Sequence, residues 1–378
     1  TRLHRPDDML LTSTRAVFLA AIAWFPLLAQ PAQQSGDIVK VIERYGLEES
    51  PTPVRDRPAW RKPRRILVGG FGAQLLPDLR SLAPDIEFIA AKPDEIAKQA
   101  ADVDAVIGLC TPEILAVGKS IQWIQLLSAG VEHCVSIPAV RERNILLTNM
   151  QRIDAPIIAE HALAMALAFT RGLDLYISAQ RNRQWRRVAP PGRMSVVDGK
   201  TILIVGLGGI GTETARRANA LGMRVIATRA SGRTGPSFVS YVGSPEELLK
   251  LASEADYIVN TAPLTQRTAG MFNAEFFARM KTSAYFINVA RGGSVAATAL
   301  VDALIHGKIA GAGLDVADPE PLPEDHPLWS APNVIITPHV ANDSDLGFDA
   351  QVAVTKENLR RYSNGERMLS VVDLSRGY

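Results

Sequence analysis

Short apolar runs alternate with amphipathic stretches over most of this chain. From Arg65 the runs "RILVGG", "IEFIAA", "DAVIGL", "WIQLL" and "NILLTN" recur about every 20 residues, separated by helix-compatible segments such as Ala73 to Leu82 and Pro112 to Val117. Each run is apolar on both faces, the pattern of a strand buried in a parallel sheet and covered by helices. A second series opens at "TILIVG" and continues through "RVIATR", "ADYIVNTA", "AYFINVA", "AGAGLDV" and "NVIITPH". Between the two lies "APIIAEHALAMALAFTRGLDLYISAQRNRQW", rich in Ala and Leu and free of Gly until Gly172, which predicts a long, mostly buried helix. The stretch Ala350 to Tyr362 predicts a last helix that returns to the first series.

The 378 residues suit two α/β domains of ordinary size. Hydrophobic residues make up 47% and charged residues 21%, the balance of a globular enzyme rather than of a disordered chain. The formal net charge of +2 is spread among acids instead of gathered in a block, which argues against nucleic acid and for a small-molecule partner. Cys110 and Cys134 form neither a disulfide framework nor a metal-ligand spacing; sequence does not decide a single bridge between them, and both read as buried thiols. No His, Asp and Glu cluster points to a metal.

Before Arg65 the pattern changes. From Met9 the sequence has a basic residue, Arg15, an apolar run from Ala16 to Ala29, then small and polar residues, which is the grammar of a signal peptide cleaved after Ala29. As a helix that run spans about 20 Å at ~1.5 Å per residue, short of a bilayer core of ~30 Å, so no membrane span is expected in the mature form. A non-native leader, or a start assigned too far upstream, accounts for it equally well. Asp37 to Arg64 is polar, with Pro51, Pro53, Pro58 and Pro63, and reads as a loosely packed lead-in to folding that begins at Arg65.

The second series carries a glycine turn. Gly206, Gly208 and Gly211 match G-x-G-x-x-G directly after the apolar "TILIV" and directly before the helical "TETARRANALG". With "RVIAT" following, this is a complete βαβ unit, in which the glycines, with Gly209 and Ile210 between them, let a pyrophosphate approach a helix N-terminus. At the end of the next strand an acid would bind the adenosine ribose of NAD; here Thr228 is followed by Arg229, Ser231 and Arg233. A guanidinium pairs with the extra phosphate of NADP, so NADP is favoured and NAD remains possible. The alternative is that these arginines are solvated on a loop.

Together, "LLSAGVEH", "IIAEHALAMALAFTR", "GKTILIVGLGGIG", "NTAPLTQRTAGMFN", "FINVARGGSV", "GAGLDVADPEPLPEDHPLW" and "NVIITPHVA", in this order, resemble the D-isomer-specific 2-hydroxyacid dehydrogenases of the glyoxylate/hydroxypyruvate reductase type, from about Arg65 to Tyr362. The resemblance implies an α/β fold of two Rossmann-like, doubly wound parallel-sheet domains. A cofactor domain, 166–337, is inserted into a discontinuous, flavodoxin-like substrate domain, 65–165 with 338–378. It implies direct hydride transfer between NAD(P) and a small 2-keto or 2-hydroxy acid, a cytoplasmic enzyme unless the leader is real, and a homodimer, for which the Ala-rich helix suits an interface as well as it suits an internal core.

Three kinds of group serve that chemistry. A protonated imidazole supplies the proton as alkoxide charge builds, and His339 in "TPHVA" matches the family's histidine. A carboxylate beside it fixes the ring, the part of Glu320 in "DPEPLP". A planar cation holds the substrate at two points, the part of Arg291 in "NVARGG". The resemblance adds Ser128, Ala129, Gly130 and Val131 as a loop whose N–H groups bind the substrate carboxylate. It also places Asp315 near the nicotinamide carboxamide, and Thr261, Ala262, Pro263, Val289 and Ala290 along the cofactor. His161, inside a predicted helix, and His326 read as structural or surface residues, while His133 has no evident place. The chain ends at Tyr378, which points away from the longer, serine-regulated phosphoglycerate dehydrogenases, and Glu320 in place of Gln points away from formate dehydrogenases. A dinucleotide-sensing, corepressor-like binding protein is the competing reading, since such relatives can keep the same three residues.

Overall fold

A computed structural model describes residues 38–377 except Ala59 and Pro191; the leader-like stretch from Met9 to Ala29 lies outside them. The described residues form one body containing two parallel sheets. The first sheet holds β1 (Arg65–Val68), β2 (Glu87–Ala90), β3 (Ala105–Ile107), β4 (Trp123–Gln125) and β5 (Leu146–Thr148) in the order β2-β1-β3-β4-β5. The second holds β6 (Thr201–Val205), β7 (Arg224–Thr228), β8 (Tyr241–Gly243), β9 (Tyr257–Asn260), β10 (Tyr285–Asn288), β11 (Gly311–Leu314) and β12 (Val334–Ile336) in the order β12-β11-β10-β9-β6-β7-β8. Both orders reverse direction once, at β1/β3 and at β6/β9, the doubly wound topology that opens a crevice at the carboxyl ends of the strands. The sequence pattern missed β8, an edge strand that opens on the exposed Tyr241 and so lacks a continuous apolar run.

Helices α2 (Leu76–Leu82), α3 (Ile96–Ala100), α4 (Pro112–Val117), α5 (Glu132–Val135) and α6 (Pro138–Glu142) follow α1 (Ile38–Tyr45) in the first lobe. The second lobe has α9 (Gly209–Ala220), α10 (Leu248–Glu254), α11 (Ala274–Arg279) and α12 (Ala297–Ile305), with α7 (Ala155–Thr170) and α8 (Leu173–Arg181) before it and α13 (Phe348–Asn364) after it. The starts are chemically marked: the Thr111 hydroxyl accepts the Ile114 N–H before α4, and the Asn273 side chain accepts the Phe276 N–H before α11. The single long helix expected after residue 155 is broken. Gly172 adopts φ 64°, and α7 and α8 meet at 72°. α7 buries Ala162, Leu163, Ala166 and Phe169 against the second sheet and continues through the division expected at 165/166. Among the described residues, no single helix is long and apolar enough to cross a membrane.

α13 carries the chain back to the first sheet. Tyr362 stacks on Trp123 at a ring separation of 4.7 Å, and a buried polar chain links the two ends of the sequence. Trp123 Nε1 donates to Thr148 Oγ1, Thr148 Oγ1 donates to Gln125 Oε1, and Asn358 Nδ2 donates to the same Gln125 oxygen. Each of these groups is shielded from water, so each partner compensates a desolvation cost.

Two expectations are corrected. The lead-in is not loose: Leu47 and Val54 are buried, α1 packs on α13, and Glu49 pairs with Arg361 at 2.7 Å. Its apolar positions are too sparse to show a period, but they cover the hydrophobic surface that α13 brings back. The cysteines, both buried as expected, are not thiols: Cys110 and Cys134 form a disulfide, with Cα atoms 5.5 Å apart. Cys110 follows β3 and Cys134 lies in α5, the helix that follows β4, and pairing of these strands brings together residues 24 apart in sequence. Reduction, or Cys134→Ser, is therefore expected to cost about 2–4 kcal/mol of stability by releasing that loop in the unfolded chain. Urea unfolding with and without reductant measures it, and an unchanged midpoint after full reduction would refute it.

Candidate active site

The second sheet lays the sequence-predicted residues along one edge. Each sits just past the carboxyl end of a strand: Arg229, Ser231 and Arg233 after β7, Gly206 to Gly211 after β6, and Thr261 to Pro263 after β9. Val289 to Arg291 follow β10, Asp315 and Glu320 follow β11, and His339 follows β12. The strand order places these groups in that same spatial succession.

At the glycine turn, Gly206 has φ 96°, and a Cβ there would lie 2.8 Å from the backbone N and Cα of Ala262. Only glycine fits both demands. The Thr261 hydroxyl closes the turn by donating to the Gly206 carbonyl at 2.7 Å. A Cβ at Gly208 would meet nothing within 4 Å, so the turn opens outward in front of the α9 N-terminus. These features form a cradle that fits a dinucleotide pyrophosphate.

Beyond β7, Arg229 Nε donates to Ser231 Oγ at 2.8 Å and its Nη1 to the Thr234 carbonyl. Among the described residues Arg229 has no ion pair. Arg233 instead pairs with Glu247 at 2.8 Å. Of the two guanidinium groups, the one on Arg229 keeps its positive charge uncompensated.

At the far end, His339 Nδ1 lies 2.8 Å from Glu320 Oε2, and Glu320 Oε1 accepts the Ala317 N–H. The carboxylate is thus fixed through one oxygen while the other holds the imidazole. His339 takes a positive φ of 56°, costly for a residue with a Cβ. Buried Asp315 maintains it. Its carbonyl accepts the His339 N–H, and its carboxylate accepts the N–H groups of Val340 and Ala341 and the Thr337 hydroxyl. The Asp315 carboxylate, expected beside the carboxamide, is engaged by this turn.

Arg291 bridges the lobes. Its Nε lies 3.2 Å from Glu132 Oε1 and its Nη2 3.3 Å from Glu132 Oε2, on α5 of the first lobe. A Cβ on Gly130 would collide with the same guanidinium. In the loop from Ser128 to Val131, the Ser128 carbonyl accepts the Met150 N–H, the Ala129 carbonyl the Asn149 amide and the Gly130 carbonyl the Ser128 hydroxyl. Among the described residues none of the loop's own N–H groups has a protein acceptor. They are available to an anion.

Sequence reasoning missed several residues here. Glu132 lies within "LLSAGVEH" but was given no role there. Asn260 and Asn288 end β9 and β10 in "VNTAP" and "INVAR", and an amide closing two otherwise apolar runs was a signal. Both are fully buried: Asn260 Nδ2 donates to Asn288 Oδ1 and Ser294 Oγ, and their side-chain oxygens accept the N–H groups of Ala262 and Ala290. His161 on α7 reaches Thr337 Oγ1 at 2.9 Å. Because that hydroxyl gives its hydrogen to Asp315, the His161 Nε2 must be the donor. His326 accepts the Leu328 N–H in its loop, and His133 is exposed on α5. The described residues contain no group of three or more His, Cys, Asp or Glu that could hold a metal.

Comparison with known proteins agrees with the fold and identifies the family. The family model "D-isomer specific 2-hydroxyacid dehydrogenase, NAD binding domain" matches residues 163–341. A glyoxylate reductase of Thermofilum pendens is 32% identical over 74% of this chain and 84% of its own length. A human glyoxylate reductase/hydroxypyruvate reductase is 33% identical over 68% of this chain and 79% of its own. Among solved structures, an NADPH-dependent glyoxylate/hydroxypyruvate reductase of Sinorhizobium meliloti, in complex with NADP and sulfate, superposes with a TM-score of 0.72 at 26% identity. The match covers 83% of this chain and all of that one. With this edge of glycine turn, arginine and paired histidine, and with relatives matched over most of their length, the chain belongs to the D-isomer specific 2-hydroxyacid dehydrogenases, oxidoreductases that act on a CH–OH group.

Proposed function

We propose that this protein is an NADP-preferring reductase of small 2-keto acids of the glyoxylate or hydroxypyruvate kind. The observation that carries the proposal is the His339–Glu320 pair, held at the end of β12 two strands from Arg291. Relatives that reduce glyoxylate or hydroxypyruvate, and the NADP-bound Sinorhizobium structure, support the substrate class and the cofactor.

The glycine cradle, with Gly206, Gly208, Gly209, Ile210 and Gly211, takes the pyrophosphate. Thr261, Ala262, Pro263, Val289 and Ala290 border the cofactor toward its reacting end. A bound reduced nicotinamide supplies hydride to the keto carbon. His339, with Nδ1 turned to Glu320, presents Nε2 to the keto oxygen and donates the proton that neutralises the developing alkoxide; in the reverse direction it accepts the hydroxyl proton. Glu320 orients the ring by holding its Nδ1. Arg291 and the N–H groups of Ser128 to Val131 hold the substrate carboxylate. That the Arg291 fork already grips the Glu132 carboxylate supports this assignment. Asp315 acts through the turn that aims His339.

His339→Gln keeps a polar side chain but cannot relay a proton, so kcat is expected to fall about 10²–10⁴-fold while NADPH binding persists. Turnover within a few-fold of the parent would sink the assignment. Arg229→Ala removes the uncompensated guanidinium and is expected to weaken NADPH at least about tenfold, leaving NADH nearly unaffected. Titrating both cofactors decides it: equal losses, or none, would withdraw the NADP preference and leave the reductase reading intact.

A further inference from the structure

Gly209, the first residue of α9, needs its missing side chain for a reason the turn does not supply. Its φ is not positive, so its backbone makes no special demand. Space does. A Cβ at 209 would lie 2.9 Å from Cγ of Arg152, 3.4 Å from its Cα and 3.5 Å from its Cβ. The stem of Arg152, from the segment between β5 and α7, is laid directly over the N-terminus of α9.

Arg152 itself is held in an unusual state. It is one of the few non-glycine residues with positive φ, at 74°. Such conformations persist where the surroundings impose them, commonly at ligand sites. Its guanidinium is partly exposed, and its Nη2 lies 2.5 Å from Oε1 of the exposed Glu48. The Glu48 backbone is itself fixed, its carbonyl accepting the Ser370 N–H. A carboxylate from the lead-in thus holds a cation beside the cradle that fits a pyrophosphate.

We propose that Arg152 is a further binding residue for the diphosphate of the dinucleotide, and that Glu48 occupies its guanidinium until the diphosphate replaces that carboxylate. The proposal rests on the dinucleotide reading of the glycine turn. The planar fork of Arg152 matches phosphate oxygens as well as it matches a carboxylate, and the diphosphate adds two negative charges and the field of the α9 N-terminus to the competition. Gly209 makes the approach possible, and both lobes then contribute to holding the cofactor.

The test is direct binding of NADPH and of NADH to the full chain, followed by tryptophan fluorescence or calorimetry, with thermal melting as a check on folding. R152A is expected to weaken both dinucleotides by the same factor, about tenfold, because the diphosphate is common to them. E48Q is expected to tighten both at least about twofold, since it removes the competing carboxylate while keeping its shape. Opposite signs for the two variants support the proposal. Affinities unchanged in R152A, or lowered equally by R152A and E48Q, overturn it, the second result marking the ion pair as a structural brace. Should R152A not fold, R152Q keeps the stem against Gly209 and removes the charge, and the same loss is expected of it. A parent protein that binds neither dinucleotide refutes the cofactor reading itself, and this inference with it.

Discussion

A carboxylate withdrawn from water at the end of β11 is tolerable only when donors surround it, and the donors around Asp315 are the groups that bend the chain at His339. Two backbone N–H groups and the Thr337 hydroxyl converge on one side chain. Breaking that convergence leaves a buried carboxylate unanswered, a far larger penalty than the loss of any single bond. The turn is therefore over-determined, and a histidine can be kept in a left-handed conformation that it would not adopt alone. The direction of its imidazole, and with it the contact to Glu320, follows from this one buried acid.

The parallel-sheet architecture was open to reading because its strands are buried on both faces, and continuous apolar runs announce such strands. The glycine turn was equally open, since its spacing is imposed by close approach of backbone to backbone. What stayed hidden depends on through-space neighbours. Cys110 and Cys134 are joined because β3 lies beside β4, which no spacing in the sequence states. Glu132 meets Arg291 across 159 positions, and Arg152 meets Gly209 only because the two lobes fold together. Leu47 and Val54 looked like loop residues because the surface they cover, on α13, lies at the other end of the chain.

That closure of the chain on itself has mechanical meaning. α7 leaves the first lobe to pack on the second sheet, while α13 leaves the second lobe to pack on Trp123 in the first. The two lobes are thus joined by a pair of crossings, and α1 is laid against the returning one. Asp154, the residue before α7, is buried and accepts the amide of Gln351 in α13 at 3.3 Å, so the crossings touch each other. Burial holds the Asp154 carboxyl above its ordinary range, with the Gln351 hydrogen bond opposing it only in part.

The succession of groups along the second sheet makes that edge a ruler. Parallel strands lie about 4.8 Å apart, so the five steps from β7 to β12 set Arg229 and His339 on the order of 24 Å from one another. Residues so far apart, with no shared partner, change free energies independently. On the assignments proposed above, cofactor choice and proton transfer would therefore drift separately in evolution: a lineage could trade one dinucleotide for the other at β7 without disturbing the acid and base proposed at β11 and β12.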